Sequence, residues 1–185
     1  MLESPVILIG PMAVGKTSVA LELSRQLDCV NVPLDRIRWY YYLKRDYSIA
    51  REATLNHDFL QLQEYWKTFD VETITAALDD FSNCVMDFGA GHSYYPDPRR
   101  LAQMEEVLQP YPFIFLLLPS PDRETSLRVC LERLKKRYGD KLNDSDREAC
   151  RSYIWHESNA RLARHTIYTE GKTVEEVAQE VLSHL

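Results

Sequence analysis

The sequence predicts an α/β fold in which a parallel β-sheet is covered by helices on both faces. Short apolar runs recur along the chain and read as unbroken hydrophobic strands, the pattern of strands buried on both faces. Segments of helical period separate them, which is the alternation that builds crossover connections. The first strand-to-helix junction carries Gly10-Pro11-Met12-Ala13-Val14-Gly15-Lys16-Thr17, which fits GxxxxGK followed by Ser or Thr in every defined position.

Taken in order, Pro5 to Ile9 is the first strand, and Lys16 to Leu27 follows as a helix with Val19, Ala20, Leu23 and Leu27 on one face. Val30 to Leu34 reads as a second strand that ends at Pro33, which has no amide to donate. From Asp58 to Asp80 the positions Leu62, Tyr65, Trp66, Phe69, Ile74, Ala77 and Leu78 keep a helical period, and Cys84-Val85-Met86 is the next strand. Asp97-Pro98 caps and opens a helix bearing Leu101, Met104, Val107 and Leu108, and Phe113 to Leu118 is the fourth strand. Ser120-Pro121 signals a helix through about Arg137, and Ser145 with Glu148 offers a capping box for one through about Ala163. Thr166 to Tyr168 is a short last strand. Thr173 and Glu176 box the final helix, whose stripe is Val174, Val177, Ala178, Val181, Leu182 and Leu185. Gly139 to Asp144 is polar and glycine-containing, and reads as a mobile loop.

A chain of 185 residues with 45% hydrophobic and 27% charged residues fits one domain spanning residues 1–185. A net charge of −6 argues against a nucleic-acid partner, and the longest apolar run is far short of the roughly 20 residues a membrane helix needs. Met1-Leu2-Glu3-Ser4 has no basic leader character, so a cytoplasmic location is expected. Cys29, Cys84, Cys130 and Cys150 lack metal-ligand spacing and read as reduced packing residues.

The Gly10 to Thr17 loop explains itself physically. Its glycines let backbone amides close around a phosphate, and the helix that follows turns unpaired N–H groups and a positive dipole end toward the same anion. Lys16 adds charge at the β- and γ-phosphates of ATP, the Thr17 hydroxyl suits Mg2+, and the site is expected to run through Ser18. Read blandly, the same residues are a glycine turn with an exposed lysine. No NKxD guanine-reading motif is present: Asn143-Asp144-Ser145-Asp146 lacks the lysine.

With these residues in place, the chain resembles the shikimate kinase family of nucleoside-monophosphate-kinase-like P-loop folds over nearly its whole length. The resemblance runs through Val6 to Leu27, Trp66-Lys67-Thr68-Phe69-Asp70, Gly89-Ala90-Gly91, and Leu162 to Thr173. It implies three layers around a five-stranded parallel sheet in the order 2-3-1-4-5, an acceptor-binding region at about 36–80 and a lid at about 135–147. It also implies that Asp35 contacts the acceptor hydroxyl, that Lys67 stands in place of a substrate-binding arginine, and that Gly171 and Lys172 lie beside adenine. The family's magnesium-side aspartate falls on Pro33, and its carboxylate-gripping arginine on Trp155 or His156. Residues are inserted between Trp39 and His57, where Trp39 to Arg45 either shape a different acceptor pocket or cover the sheet edge.

The expected activity is therefore transfer of the ATP γ-phosphate to a hydroxyl of a small metabolite, by a monomer or weak homodimer. A nucleotide or nucleoside kinase, or an ATP-binding regulatory module, remains the alternative. Lys16, Asp35 and Arg137 are the expected catalytic residues, with Lys141 a second lid cation. Asp87, at the end of its strand, is expected to hold magnesium with Thr17, or else to cap the next turn. Asp35 takes or orients the acceptor proton, or else caps a helix. Lys67, Gly89, Ala90, Gly91 and His92 are expected around the acceptor, with Arg99 a further ligand, although His92 also reads as a surface residue and the basic lid as a dipole complement.

Overall fold

The computed structural model describes residues 2–56 and 59–185. Five strands, β1 (Val6–Ile9), β2 (Val30–Pro33), β3 (Cys84–Asp87), β4 (Ile114–Leu118) and β5 (His165–Tyr168), form one parallel sheet in the order β2-β3-β1-β4-β5. The α/β class and the strand order are those expected. β1 is central, with Ile7 opposite Met86 on one side and Ile114 on the other. Successive strand side chains point to opposite faces, so Val6 and Leu8 enter one core while Ile7 and Ile9 enter the other.

Among the described residues the helices are α1 (Lys16–Leu27), α2 (Leu34–Tyr42), α3 (Ile49–Leu55), α4 (Phe59–Asp80), α5 (Pro98–Leu108), α6 (Arg123–Tyr138), α7 (Asp144–Trp155), α8 (Ser158–Leu162) and α9 (Val174–Leu182). The first core takes Leu23 of α1, Leu134 of α6, Ile154 of α7 and Val181 of α9. The second takes Ile74 of α4, Met104 of α5 and Leu162 of α8. Outside the sheet a third, aromatic cluster joins Tyr42, Tyr47, Tyr65 and Phe69, with Trp39 and Trp66 packed against it. The tyrosine-rich segment thus divides: Tyr41 joins the sheet-side core, while Trp39 and Tyr42 pack toward α4.

Several expectations are corrected. The sequence offers α2 only as the alternative in which Asp35 caps a helix, because Tyr and Trp are indifferent helix formers and the run Trp39 to Tyr42 shows no apolar period. α3 falls where no helix was expected, in a short segment with no buried residue to give it a period. α6 is capped by Asp122, whose side chain accepts from the Thr125 amide, and not by Ser120, which exchanges hydrogen bonds with Ser126. α7 starts from an Asn143–Asp146 capping box and not from Ser145 and Glu148. The helix expected to run on to about Ala163 breaks at His156, which is extended, and resumes as α8. Gly139–Lys141 is a short 3-10 turn between α6 and α7. The expected helix start at Asp58, the end of the insertion at His57, and Met1 lie outside the described residues. Among the described residues no helix is long and apolar enough to cross a membrane, and Cys29, Cys84, Cys130 and Cys150 are free thiols.

Candidate active site

The loop after β1 is shaped for an anion. Gly10 has φ 137°, and a Cβ there would lie 2.4 Å from the Leu117 carbonyl oxygen, so the chain passes β4 too closely for any other residue. Gly15, at φ 112°, turns the chain into α1, whose first residue is the buried Lys16. The Lys16 ammonium donates to the carbonyl oxygens of Gly10 at 2.9 Å and Pro11 at 3.0 Å. Burial pushes its pKa down, against the pull of the Asp87 carboxylate. Thr17 Oγ1 donates to Asp87 Oδ2 at 2.5 Å. Burial raises the pKa of Asp87, opposed by the Lys16 charge and the Thr17 hydrogen bond.

A cavity of about 520 Å³ opens over this loop, lined by Lys16, Thr17, Ser18, Asp87 and cations from two other elements, Arg36 of α2 and Arg137 of α6. One turn before Arg137, Arg133 donates to the carbonyls of Ala13 at 3.4 Å and Val14 at 3.1 Å. Neither Arg36 nor Arg133 was among the expected residues. Arg133 was findable, since it precedes Arg137 by four and shares its helix face. Lys141 is exposed in the 3-10 turn and does not line the cavity. Gly171 and Lys172 sit in the turn after β5, away from both cavities described here, and Lys172 pairs with Glu180.

A second cavity, of about 180 Å³, adjoins the first and shares Met12, Asp35 and Ala90 with it. Asp35 lies in the first turn of α2 and caps nothing, since Pro33 occupies the cap position. Its carboxylate presses against Gly89, where a Cβ would fall 2.0 Å from Oδ1. Of the Gly89-Ala90-Gly91 turn only the first residue meets that constraint: a Cβ at Gly91 would stand 3.8 Å from the Tyr153 hydroxyl, an ordinary contact. Lys67 and Asp70, both buried on α4, form an ion pair at 2.8 Å. Lys67 also donates to the Gly91 carbonyl and sits 4.1 Å from the Tyr95 ring centroid, while Asp70 accepts from the Tyr42 hydroxyl at 2.5 Å. Burial alone would raise the pKa of Asp70; the charges of Lys67 and His92 with the two hydrogen bonds hold it below its usual value.

His92 is buried, not on the surface. Its Nδ1 is 3.5 Å from Asp35 Oδ1 and its Nε2 3.8 Å from Asp70 Oδ1, and neither nitrogen has a hydrogen-bond partner. Desolvation lowers its pKa despite the two carboxylates. Trp155 and His156 do not reach this cavity: Trp155 stacks under Arg151 and His156 Nδ1 meets Ser158 Oγ at 2.7 Å. Tyr153 forms that wall, receiving a hydrogen bond of 2.6 Å from Gln63 Nε2. Arg99 is exposed at the start of α5, outside the cavity. Arg38 lines it instead, and sequence spacing gave no signal for that residue.

The donor set fits magnesium with a nucleotide. A hydroxyl and a carboxylate oxygen side by side are hard ligands, and among the described residues no group of three His, Cys, Asp or Glu gathers for a softer ion.

No protein-family model matches the chain, and no curated protein matches it. Solved structures do. A shikimate kinase from Acinetobacter baumannii, in complex with shikimate, is 19% identical with a TM-score of 0.68 over 97% of this chain and 91% of that one. A gluconokinase from Sinorhizobium meliloti is 13% identical with a TM-score of 0.60, covering 100% and 93%. A tunicamycin resistance protein from Deinococcus radiodurans is 17% identical with a TM-score of 0.56, covering 98% and 95%. The chain therefore has the fold of shikimate kinases and related P-loop kinases.

Proposed function

We propose that the protein is an ATP-dependent phosphotransferase that moves the γ-phosphate of ATP to a hydroxyl of a small metabolite. The observation that carries this reading is the meeting of two cavities at Asp35, one over an anion-shaped loop ringed by Lys16, Arg36 and Arg137, the other small and lined by charged side chains among apolar ones. The neighbours' fold supports the same class of chemistry.

In this reading the amides of Gly10 to Thr17 and the Lys16 ammonium hold the β- and γ-phosphates, Lys16 exchanging its loop carbonyls for phosphate oxygens. Thr17 and Asp87 hold magnesium, which when bound supplies charge neutralisation on the phosphates. The acceptor hydroxyl oxygen bonds to the γ-phosphorus, the bond to the bridging oxygen breaks, and ADP leaves with that electron pair. Asp35 takes the hydroxyl proton. Arg137, at the start of the proposed lid, lines the larger cavity, and in this reading its charge steadies the transferring group.

Lys16→Ala is expected to lower turnover by about 100-fold or more in a protein that still folds. Asp35→Asn is expected to bind ATP as before by calorimetry while product formation falls by about 100-fold or more. Full transfer by the Asp35 variant removes its role as base, and absence of ATP binding to the parent protein removes the whole reading.

A further inference from the structure

His92 is the buried group for which the transfer scheme has no use. It lines the smaller cavity, its side chain is 2% exposed, and neither ring nitrogen has a hydrogen-bond partner. Nδ1 faces Asp35 Oδ1 at 3.5 Å and Nε2 faces Asp70 Oδ1 at 3.8 Å, so the ring stands between two carboxylates. A neutral imidazole carries one N–H and one lone pair, and satisfies only one of two such acceptors. The imidazolium donates at both nitrogens and satisfies both. His92 is thus one proton short of its surroundings.

The two carboxylates differ. Asp70 is buried and held by the Lys67 ammonium and the Tyr42 hydroxyl, whereas the Asp35 side chain is 64% exposed and also borders the cavity over the phosphate loop. The charged groups facing the ring are Asp35 and Arg38 from α2 and Asp70 and Lys67 from α4, and Asp70 acts on it more strongly than Asp35. The single hydrogen of the neutral ring therefore belongs on Nε2, toward Asp70, which leaves the Nδ1 lone pair toward Asp35. Burial keeps the ring neutral at rest.

We propose that His92 is the second receiver of the acceptor proton, taking it from Asp35 and so acting on the transfer through Asp35. This rests on the kinase reading above and extends it by one proton step. The acceptor O–H bond breaks as its oxygen bonds to the γ-phosphorus, and the proton goes to the Asp35 carboxylate. From Oδ1 it passes to the Nδ1 lone pair; Asp35 regains its charge, and the imidazolium donates to Asp35 and Asp70 at once. Both gaps lie within about 1 Å of hydrogen-bond length, and such contacts tighten when a site closes on its substrate. Free imidazole holds a proton about 100-fold more tightly than a free carboxylate, and the two carboxylates, once in contact, offset the burial that disfavours its charge. The proton returns to water through the exposed Asp35 after the product has left.

Two measurements on the full chain test this. Nitrogen–proton NMR at about pH 7.5, with the His92 signals assigned by their loss in His92→Asn, is expected to show a neutral ring protonated at Nε2 and bare at Nδ1. A hydrogen on Nδ1 leaves no lone pair for Asp35 and overturns the relay, whatever the acceptor. The second measurement is kcat against pH, with saturating Mg-ATP and shikimate or D-gluconate as acceptor. His92→Asn and His92→Gln are each expected to lower the plateau about 10-fold and to move the acid limb down by about one pH unit, because Asp35 alone must then be unprotonated. Ionisation of ATP is common to all three proteins. A loosely folded variant loses plateau without moving the limb, so a lower plateau with an unmoved limb assigns His92 to packing and overturns the relay. Either failure leaves Asp35 as the sole base and the kinase reading standing, whereas a parent protein that turns over neither acceptor and binds no ATP overturns both.

Discussion

At the scale of single residues, His92 shows how burial and charge divide the site. Asp35 and Asp70 flank it, and Arg38 and Lys67 are the cations its charge would feel. Because desolvation lowers its pKa from the usual 6.5, the unfolded chain binds a proton near 6.5 that the native protein still refuses. Stability then rises with pH between the folded value and 6.5, and is lost on acidification through that window. Asp87, whose pKa burial raises, slopes the other way above its usual 3.8, and Asp70, whose pKa is held down, contributes stability lost only at lower pH. Urea unfolding at about pH 5.5 and 7.5 is therefore expected to show His92→Asn losing less stability than the parent on acidification. An equal loss in both proteins would mean that His92 is protonated as readily when folded as when unfolded. Lys16, Thr17 and Asp87 were legible because spacing and a strand end flagged them. Arg36 and Arg38 were not, since a lone arginine carries no pattern until a helix turns it inward.

At the scale of elements, the helix signals separate cleanly into those that were unique and those that had a rival. The Thr173–Glu176 box was legible because no other pair at the required spacing stood nearby. Before α7, Ser145–Glu148 fits the sequence rule for a capping box, but the box that forms is Asn143–Asp146, with the shorter Asp in place of Glu, directly after the buried Leu142. Asn143→Ala is accordingly expected to destabilise the protein by about 1 kcal/mol in urea melts, and Ser145→Ala by no more than about 0.5 kcal/mol. Comparable losses from both would put the helix start two residues later. α2 was legible only as the alternative in which Asp35 caps a helix, for a different reason: its tyrosines and tryptophan follow their packing against α4 and the sheet, a tertiary preference that local propensity does not record.

For the whole molecule, alternation of strands and helices made the α/β class readable, but strand order depends on which way each crossover turns, and only the resemblance supplied it. Both cavities lie toward the carboxyl ends of the strands, where β1 gives way to the phosphate loop and β3 ends at Asp87. Mg-ATP at about 100 times its dissociation constant is expected to stabilise the protein by about 2.7 kcal/mol, raising Tm by about 5–10 °C. Lys16→Ala is expected to lose most of that rise, and an unmoved Tm in the parent protein would count against a nucleotide seat. The central position of β1 has a further consequence. A loop launched from a strand laced to neighbours along both edges inherits their stiffness, so an arriving triphosphate surrenders little of its binding entropy to the ordering of its host. In the proposed kinase reading, the freedom given up on closure of a lid would belong instead to the periphery, where α6 ends just beyond Arg137 and the chain turns at Gly139.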